Sequence, residues 1–526
     1  MTIEVSEAAQ AWCQKQEING VIIERLDVGW IFRAGNRKFG PVRDLSTISS
    51  IEVAEKLGVD TSTALKAKLT ASYIELSRPL SIDDISEMLE SIIKRDRVAK
   101  VLVFLTMLSC YTESDQLNLA LKGESSTGKS YIALAVSELF PSEDIIMVAY
   151  ASPTAFFHEV GELDEESKTI TVDLSNKIII FLDQPHDLLL ERLRPLLSHD
   201  RKELTYKITD KQERKGLRTK TVKLIGFPAV VFCTGHLGVD LQEATRMLLV
   251  SPETSSEKIR ESILFKAKTE GNQNLLKIIE EDEGLSVLRE RVKMVKNSGI
   301  RKVIIPNAEE VASRFMESRE RLKPRHMRDI SKIFCLIKCL ALLNFMHRPR
   351  EGDTIIASGE DIEQAFRLYN EVAAAQELGV PPYALEIYQK IILPESQKSP
   401  KGGITRRELM EHHLKVFGRP LSENFLKREL IPALEGAGLI IEEPDPDNKH
   451  RLIIKPLMND FQNSGSGVGG KYEKGCDLPH PPDPLFLNSM NQGICEFCGE
   501  GSDNLSIIEF FGQTRLICGK CREGMH

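Results

Sequence analysis

The sequence predicts a mixed α/β protein: a three-layer sandwich on a parallel sheet, then a helical lid and two small C-terminal modules. Three observations carry that expectation. Residues 122–130 read KGESSTGKS between an apolar stretch (Leu117, Leu119, Leu121) and a helix-like run from Tyr131 to Phe140. Two later runs, Lys177–Asp183 and Pro228–Thr234, are continuously apolar and end in a polar residue, as strands covered on both faces do. Near the C-terminus, Cys495, Cys498, Cys518 and Cys521 stand in two C-x-x-C pairs.

The totals set the frame. At 526 residues the chain is long enough for several domains. Its 41% hydrophobic and 28% charged content is ordinary for a globular protein. No apolar run reaches the roughly 18 residues of a membrane span, so no membrane partner is expected. MTIEVSEAAQ lacks the basic start of a signal peptide. Four of the ten cysteines form a metal pattern and the rest are scattered, which fits a reducing, cytoplasmic setting. Net charge is −8, so any nucleic-acid contact must come from local basic patches.

Residues 122–130 match G-x-x-x-x-G-K-[ST] in full, in the strand–loop–helix setting of a P-loop. Gly123, Glu124, Ser125, Ser126, Thr127 and Gly128 form the turn that would cradle phosphate oxygens with backbone N–H groups. The helix N-terminus adds its partial positive charge. Lys129 would reach the β- and γ-phosphates of ATP, and Ser130 would hold Mg²⁺. Asp183, closing an apolar strand, fits the second magnesium position. Thr234 closes the next such strand, where it would orient water or sense the γ-phosphate. Between them, Arg201–Asp210 and Arg218–Ile225 alternate as a β-hairpin. Residues 201–223 carry nine Lys/Arg against three Asp/Glu. Lys211, Arg214, Lys215 and Arg218 sit at the tip, and that charge favours contact with a DNA phosphate backbone.

Residues 1–95 are less informative. Val21–Ile23 and Gly29–Arg33 read as strands, and Ile51–Leu69 as a helical hairpin turning at Gly58. Asp144–Tyr150 reads as a buried strand, Lys168–Leu174 as an inserted one, and 255–347 as helices. Arg246 precedes an apolar strand, while Arg325 and Arg328 open an apolar helix after Pro324.

The order of these features resembles the AAA+ ATPases, over about residues 96–350. The resemblance is to the branch with a hairpin before sensor 1, which holds the MCM and superfamily-three helicases. It implies Walker A at Gly123–Ser130, Walker B at Asp183, sensor 1 at Thr234, an arginine finger at Arg246 and sensor 2 at Arg325 or Arg328. It also implies a DNA-tracking hairpin tip and a homo-oligomer, a hexameric ring. One departure matters: the family's Glu after the Walker B Asp is Gln184 here, which orients water but cannot take a proton.

Residues 380–457 resemble a winged helix. Thr405 would cap its second helix, and Leu426, Leu430 and Leu434 share one face of the third. Lys427 and Arg428 on that helix, and Lys449 and Arg451 on the wing, are candidate DNA contacts. Residues 458–490 have linker composition. The tail, 491–526, reads C-x₂-C-x₁₉-C-x₂-C, the spacing of a structural Zn²⁺ site in a ribbon of strands. The expected domains are thus 1–95, the ATPase core 96–254, the lid 255–375, the winged helix, the linker and the zinc ribbon. The expected activity is ATP hydrolysis driving a DNA helicase or replication-initiation motor. The alternatives are an ATP-switched DNA-binding regulator and a protein remodeller.

Overall fold

The computed structural model describes residues 15–26, 29–42, 45–148, 162–164, 169–183, 187–199, 201–210, 218–235, 237, 245–272, 279 and 282–457, and the backbone of four short strands beyond residue 492. The chain divides into two compact units, Met1–Gly465 and Ser466–His526.

The first unit opens with an antiparallel meander of β1 (Lys15–Ile18), β2 (Val21–Leu26), β3 (Gly29–Ala34) and β4 (Arg37–Val42). Helices α1 (Ser50–Leu57) and α2 (Thr61–Ser77) cover it, burying Val53, Leu57 and Ala64 against Trp30 and Phe32. Gly58 ends α1 with φ +66°, a backbone that glycine adopts without a Cβ penalty.

The central sheet is five parallel strands in the order β13 (Leu248–Val250), β5 (Asn118–Lys122), β12 (Ala229–Thr234), β9 (Ile178–Phe181), β6 (Ile145–Val148). Alternation sorts its side chains between two cores, because successive residues of a strand point to opposite faces. Ala229, Val231 and Cys233 join α3 (Ile82–Leu89), α4 (Arg97–Leu108) and α5 (Lys129–Ser137) on one side. Val230 and Phe232 join α6 (Asp187–Leu197) on the other, with Phe232 stacked on Phe181 at 5.1 Å. The strand expected to be buried at Asp144–Tyr150 is the edge strand β6: Ile145 and Ile146 are half-buried and Met147 exposed, whereas the opposite edge strand, Leu248–Val250, is buried throughout. Its last two expected residues lie outside the described residues.

The basic hairpin belongs to a second sheet, ordered β10 (Glu203–Asp210), β11 (Arg218–Ile225), β8 (Thr169–Asp173), β7 (Glu162–Asp164). The β10–β11 register runs from Glu203↔Ile225 to Asp210↔Arg218. Val222 and Leu224 are buried at its base beside α6. Eight residues per strand span roughly 26 Å at about 3.3 Å each.

Helices α7 (Ser256–Gly271), α8 (Glu283–Asn297), α9 (Ala308–Glu317), α10 (His326–Leu343) and α11 (Gly359–Leu378) follow. Leu288, Val292, Phe315, Ile337, Leu340 and Phe366 from α8–α11 share the core of α4 and α5. A last group comprises Pro382–Ile387 (α12) and Leu393–Lys398 (α13), then Ile404–Thr405, Arg406–Phe417 (α14), Glu423–Phe425 (α15), Ile431–Gly436 (α16) and the ribbon Ile440–Asp445 with Asn448–Pro456. Thr405 caps α14 in a reciprocal capping box with Glu408. Leu426, Leu430 and Leu434 are fully buried. Two π turns, Tyr388–Ile392 and Leu426–Leu430, join α12 to α13 and α15 to α16. Each precedes a proline, Pro394 or Pro432; a wider turn absorbs the backbone bond that proline cannot donate.

In the second unit the described strands pair as two hairpins, Gly493–Ile494 with Gly501–Ser502 and Leu505–Phe510 with Gln513–Cys518. No helix among the described residues is long and apolar enough to cross a membrane.

Candidate functional site

The site is built where β5 meets α5. All five residues of β5 are buried, so the chain leaves the sheet at a fixed point. It then turns through Ser126 (φ +65°) and Gly128 (φ +94°) before the helix begins at Lys129. Glycine at 128 fits because a Cβ there would sit in a left-handed backbone, 3.9 Å from the Lys258 ammonium. The Lys129 ammonium donates to the carbonyls of Gly123 (2.9 Å) and Glu124 (2.7 Å), bridging the two ends of the turn. Thr127 Oγ1 donates to the Glu124 carbonyl at 3.0 Å. Burial lowers the pKa of Lys129, against the opposing charges of Glu124 and Asp183.

Lys129, Ser130 and Asp183 line one cavity of about 410 Å³, together with Ser125, Ser126 and Cys233. Asp183 is exposed two residues past the end of β9, beyond the strand expected to close on it. The Ser130 hydroxyl is in hydrogen-bond contact with the Cys233 thiol, which burial pushes up to about 12, so it stays protonated. Thr234 is buried on β12, in register with Lys122 of β5, and β12 lies between the P-loop strand and the Asp183 strand. Its neighbours Cys233 and Gly235, not Thr234, line this cavity.

A second cavity, about 640 Å³, adjoins the turn at Ser126, Thr127 and Gly128. Ile92, Tyr131, Ile259 and Phe265 give it an apolar wall. Volumes of this size are normal for small-molecule sites. Its floor is a buried ion pair: the Lys258 ammonium lies 2.5 Å from the Asp96 carboxylate and donates to the carbonyls of Thr127 (3.1 Å) and Glu253 (3.0 Å).

The remaining predicted residues lie elsewhere. Arg246 donates from Nε to Ser198 Oγ at 2.6 Å. Arg325 pairs with Asp329 at 3.1 Å and donates to the Glu377 carbonyl at 3.1 Å. Arg328 donates to Thr245. None of these three arginines lines either cavity. Lys427 pairs with Glu423 one turn away, while Arg428 and Arg451 are exposed. Gln184, Lys211, Arg214, Lys215, Cys495, Cys498 and Cys521 fall outside the described residues, as do the side chains of Arg218, Lys449 and Cys518. No group of His, Cys, Asp or Glu able to hold a metal occurs among the described residues.

Several residues at the site escaped sequence reasoning. Cys233 was hidden by its apolar strand. Asp96 and Lys258 come together from positions 162 apart, which no local pattern signals. Arg419 reaches the P-loop from the C-terminal helices: its guanidinium pairs with Glu124 at 2.5 Å. The one local sign was Gly418-Arg419-Pro420, a turn that presents a charge between two helices.

With that geometry in place, comparison with known proteins gives one family match. A family model described as the MTBMA_p00010 P-loop domain matches residues 70–298. No curated protein matches the chain. Among solved structures there is a likeness to a full-length MCM homologue from Methanopyrus kandleri, at 12% identity over 68% of this chain and 69% of that one, with a TM-score of 0.35. A likeness that loose carries no argument about domains or activity. What the match and the fold define together is a P-loop domain within a mixed α/β chain, its P-loop strand set in a parallel sheet.

Proposed function

We propose that the chain is an ATP-dependent, DNA-acting motor of the AAA+ type, with a helicase or replication-initiation role. The observation that carries the nucleotide half is that Lys129, Ser130 and Asp183 line a single cavity at the P-loop. In this reading Gly123–Ser130 bind the phosphates of ATP, and Ser130 and Asp183 hold Mg²⁺. Magnesium, when bound, neutralises charge developing on the phosphates. Lys129 exchanges the Gly123 and Glu124 carbonyls for phosphate oxygens, and Gln184 orients the attacking water; Thr234, buried between the cavity-lining Cys233 and Gly235, would join it only by turning into the cavity. Arg246 lies away from both cavities, and as an arginine finger it would serve a neighbouring subunit's site in a hexameric ring. Arg325 or Arg328 would act as sensor 2 only after leaving the partners described above.

Contact with DNA is assigned first to the hairpin, whose long strands would carry Lys211, Arg214, Lys215 and Arg218 away from a buried base. Removing one phosphate-binding cation should flatten the salt dependence of binding by about 0.9 in log–log slope. Lys211→Ala/Arg214→Ala/Lys215→Ala is therefore expected to weaken DNA binding uniformly across sequences and to reduce that slope by about 3. Unchanged affinity and slope in a salt titration would remove the hairpin from the DNA path. The three helices and ribbon of 380–457 are read as a winged helix, with Lys427, Arg428, Lys449 and Arg451 as auxiliary contacts.

The tail is read as a zinc ribbon closed by Cys495, Cys498, Cys518 and Cys521, the metal being structural. Cys495→Ser is expected to lose about one zinc per chain, measured by metal analysis of purified protein; full retention would refute the site.

A second reading, an ATP-switched DNA-binding regulator with slow turnover, is favoured by one residue, Gln184, in place of an acid. The deciding assay is steady-state ATPase activity with and without single-stranded DNA, beside strand displacement. ATP binding with no turnover on DNA would sink the motor and leave the regulator.

A further inference from the structure

The C-terminal helices bring charges to both sides of Gly123. Ahead of it, Lys122 is buried at the end of β5, and the charge of Glu429 from the 426–430 turn opposes the burial that lowers its pKa to about 8. Glu429 also accepts the Leu237 N–H at 2.9 Å, just past β12. Behind it, the Glu124 carboxylate receives Arg419 Nη1 at 2.5 Å.

Arg419 is held from several sides. Its Nη2 donates to the Tyr383 hydroxyl at 3.0 Å. That hydroxyl donates to His413 Nε2 at 2.9 Å, and His413 Nδ1 donates back to the Arg419 carbonyl at 3.0 Å. His413 is fully buried and Tyr383 nearly so. The turn itself is pressed on the site: a Cβ at Gly418 would meet Ser256 Oγ, at the start of α7, at 2.8 Å. The third donor of the fork, Nε, is buried and has no partner, and Arg419 lines the larger cavity beside Ser126, Thr127 and Gly128. A surface salt bridge needs none of this support. A half-buried guanidinium whose Nε is buried without a partner, at the rim of the P-loop turn, is a binding group kept ready.

We propose that Arg419 is a nucleotide-contacting residue supplied by the C-terminal helices, held at the P-loop by Glu124, and that its transfer from Glu124 to the bound nucleotide couples occupancy of the P-loop to those helices. The proposal rests on ATP binding at the P-loop. The guanidinium is shared between a carboxylate of the loop and an anionic ligand of the same loop. Binding therefore changes the link at Glu124 while the Lys122–Glu429 link remains.

The test is titration of the full chain with a fluorescent ATP analogue and Mg²⁺, with hydrogen exchange over residues 380–457. Arg419→Ala is expected to weaken ATP binding about tenfold or more, as loss of a charge-assisted hydrogen bond does. Arg419→Lys should recover part of it, since a point charge replaces a fork. Glu124→Gln, which removes the competitor, should tighten binding severalfold. ATP should alter exchange in 380–457 of the wild type and not of Arg419→Ala. A merely structural bridge predicts that Glu124→Gln and Arg419→Ala act alike, and that ATP leaves exchange there unchanged; either result overturns the proposal. Glu124→Gln and Arg419→Lys decide it even if the alanine variant fails to fold. Lys129→Ala separates the two levels. If the wild type binds no more ATP than Lys129→Ala, the P-loop reading falls and this inference with it. If only Lys129→Ala is weakened, this inference alone falls.

Discussion

Lys129→Ala is expected to reduce ATP turnover about 10²- to 10³-fold, the usual cost of removing one preorganised donor from a developing charge. It should weaken ATP binding as well. The reason lies in where the ammonium sits. It is largely buried, it bridges two carbonyls of the turn, and the charges of Glu124 and Asp183 oppose the burial that would neutralise it. Among the described residues that line the smaller cavity, no other carries a positive charge. The helix should survive the change, because alanine is the best helix former and Gly128 still starts α5. Circular dichroism of the variant should therefore match the wild type while ATP titration and phosphate release fall. Turnover at the wild-type rate would mean that the turn at 123–128 is not the phosphate site.

The largest effect on stability is expected from Lys258→Met. Asp96 is 2% exposed and Lys258 is 7% exposed, so both charges have left water. They are tolerable together because each is fully engaged: Asp96 also accepts the Glu253 N–H at 2.7 Å. Breaking such a pair from one side costs about 3–5 kcal/mol, since the remaining charge is buried alone. For a domain of this size that is a fall of about 10 °C in Tm at roughly 2–4 °C per kcal/mol. The deficit depends on pH with a definite sign. Burial already raises the Asp96 pKa against the pull of Lys258, and removing the lysine raises it further. The folded state then holds a proton that the unfolded state has lost, so the variant loses stability as pH rises. Thermal melts should show a larger gap from wild type at pH 8 than at pH 5. Coincident melts would mean that the pair contributes nothing. The same variant removes a donor from the Thr127 carbonyl, so the turn should also become more accessible to proteolysis.

Legibility in the sequence followed range of interaction. The P-loop was readable because its chemistry is local: two glycines, a lysine and a hydroxyl within one turn, between an apolar strand and a helix. The basic hairpin was readable from alternation and charge, and the C-terminal helices from their leucine spacing and the cap at Thr405. The exposure of Met147 was not, because an apolar run does not say whether both faces of its strand are covered: Leu248–Val250, at the opposite edge, is buried throughout. Cys233 hid in the same way, as one apolar residue among six.

What the amino-acid sequence determined alone was therefore the P-loop turn, the buried strands that lead toward Asp183 and Thr234, and the helical and ribbon character of residues 380–457. What only the tertiary structure decided was which distant groups close on that turn. Asp96 meets Lys258, Glu429 faces Lys122, and Arg419 rests on Glu124, a partner 295 positions earlier. Charge pairing at such separations has no period and no spacing rule. It exists because the sheet order and the packing of helices bring those side chains out of water together, where each needs the other.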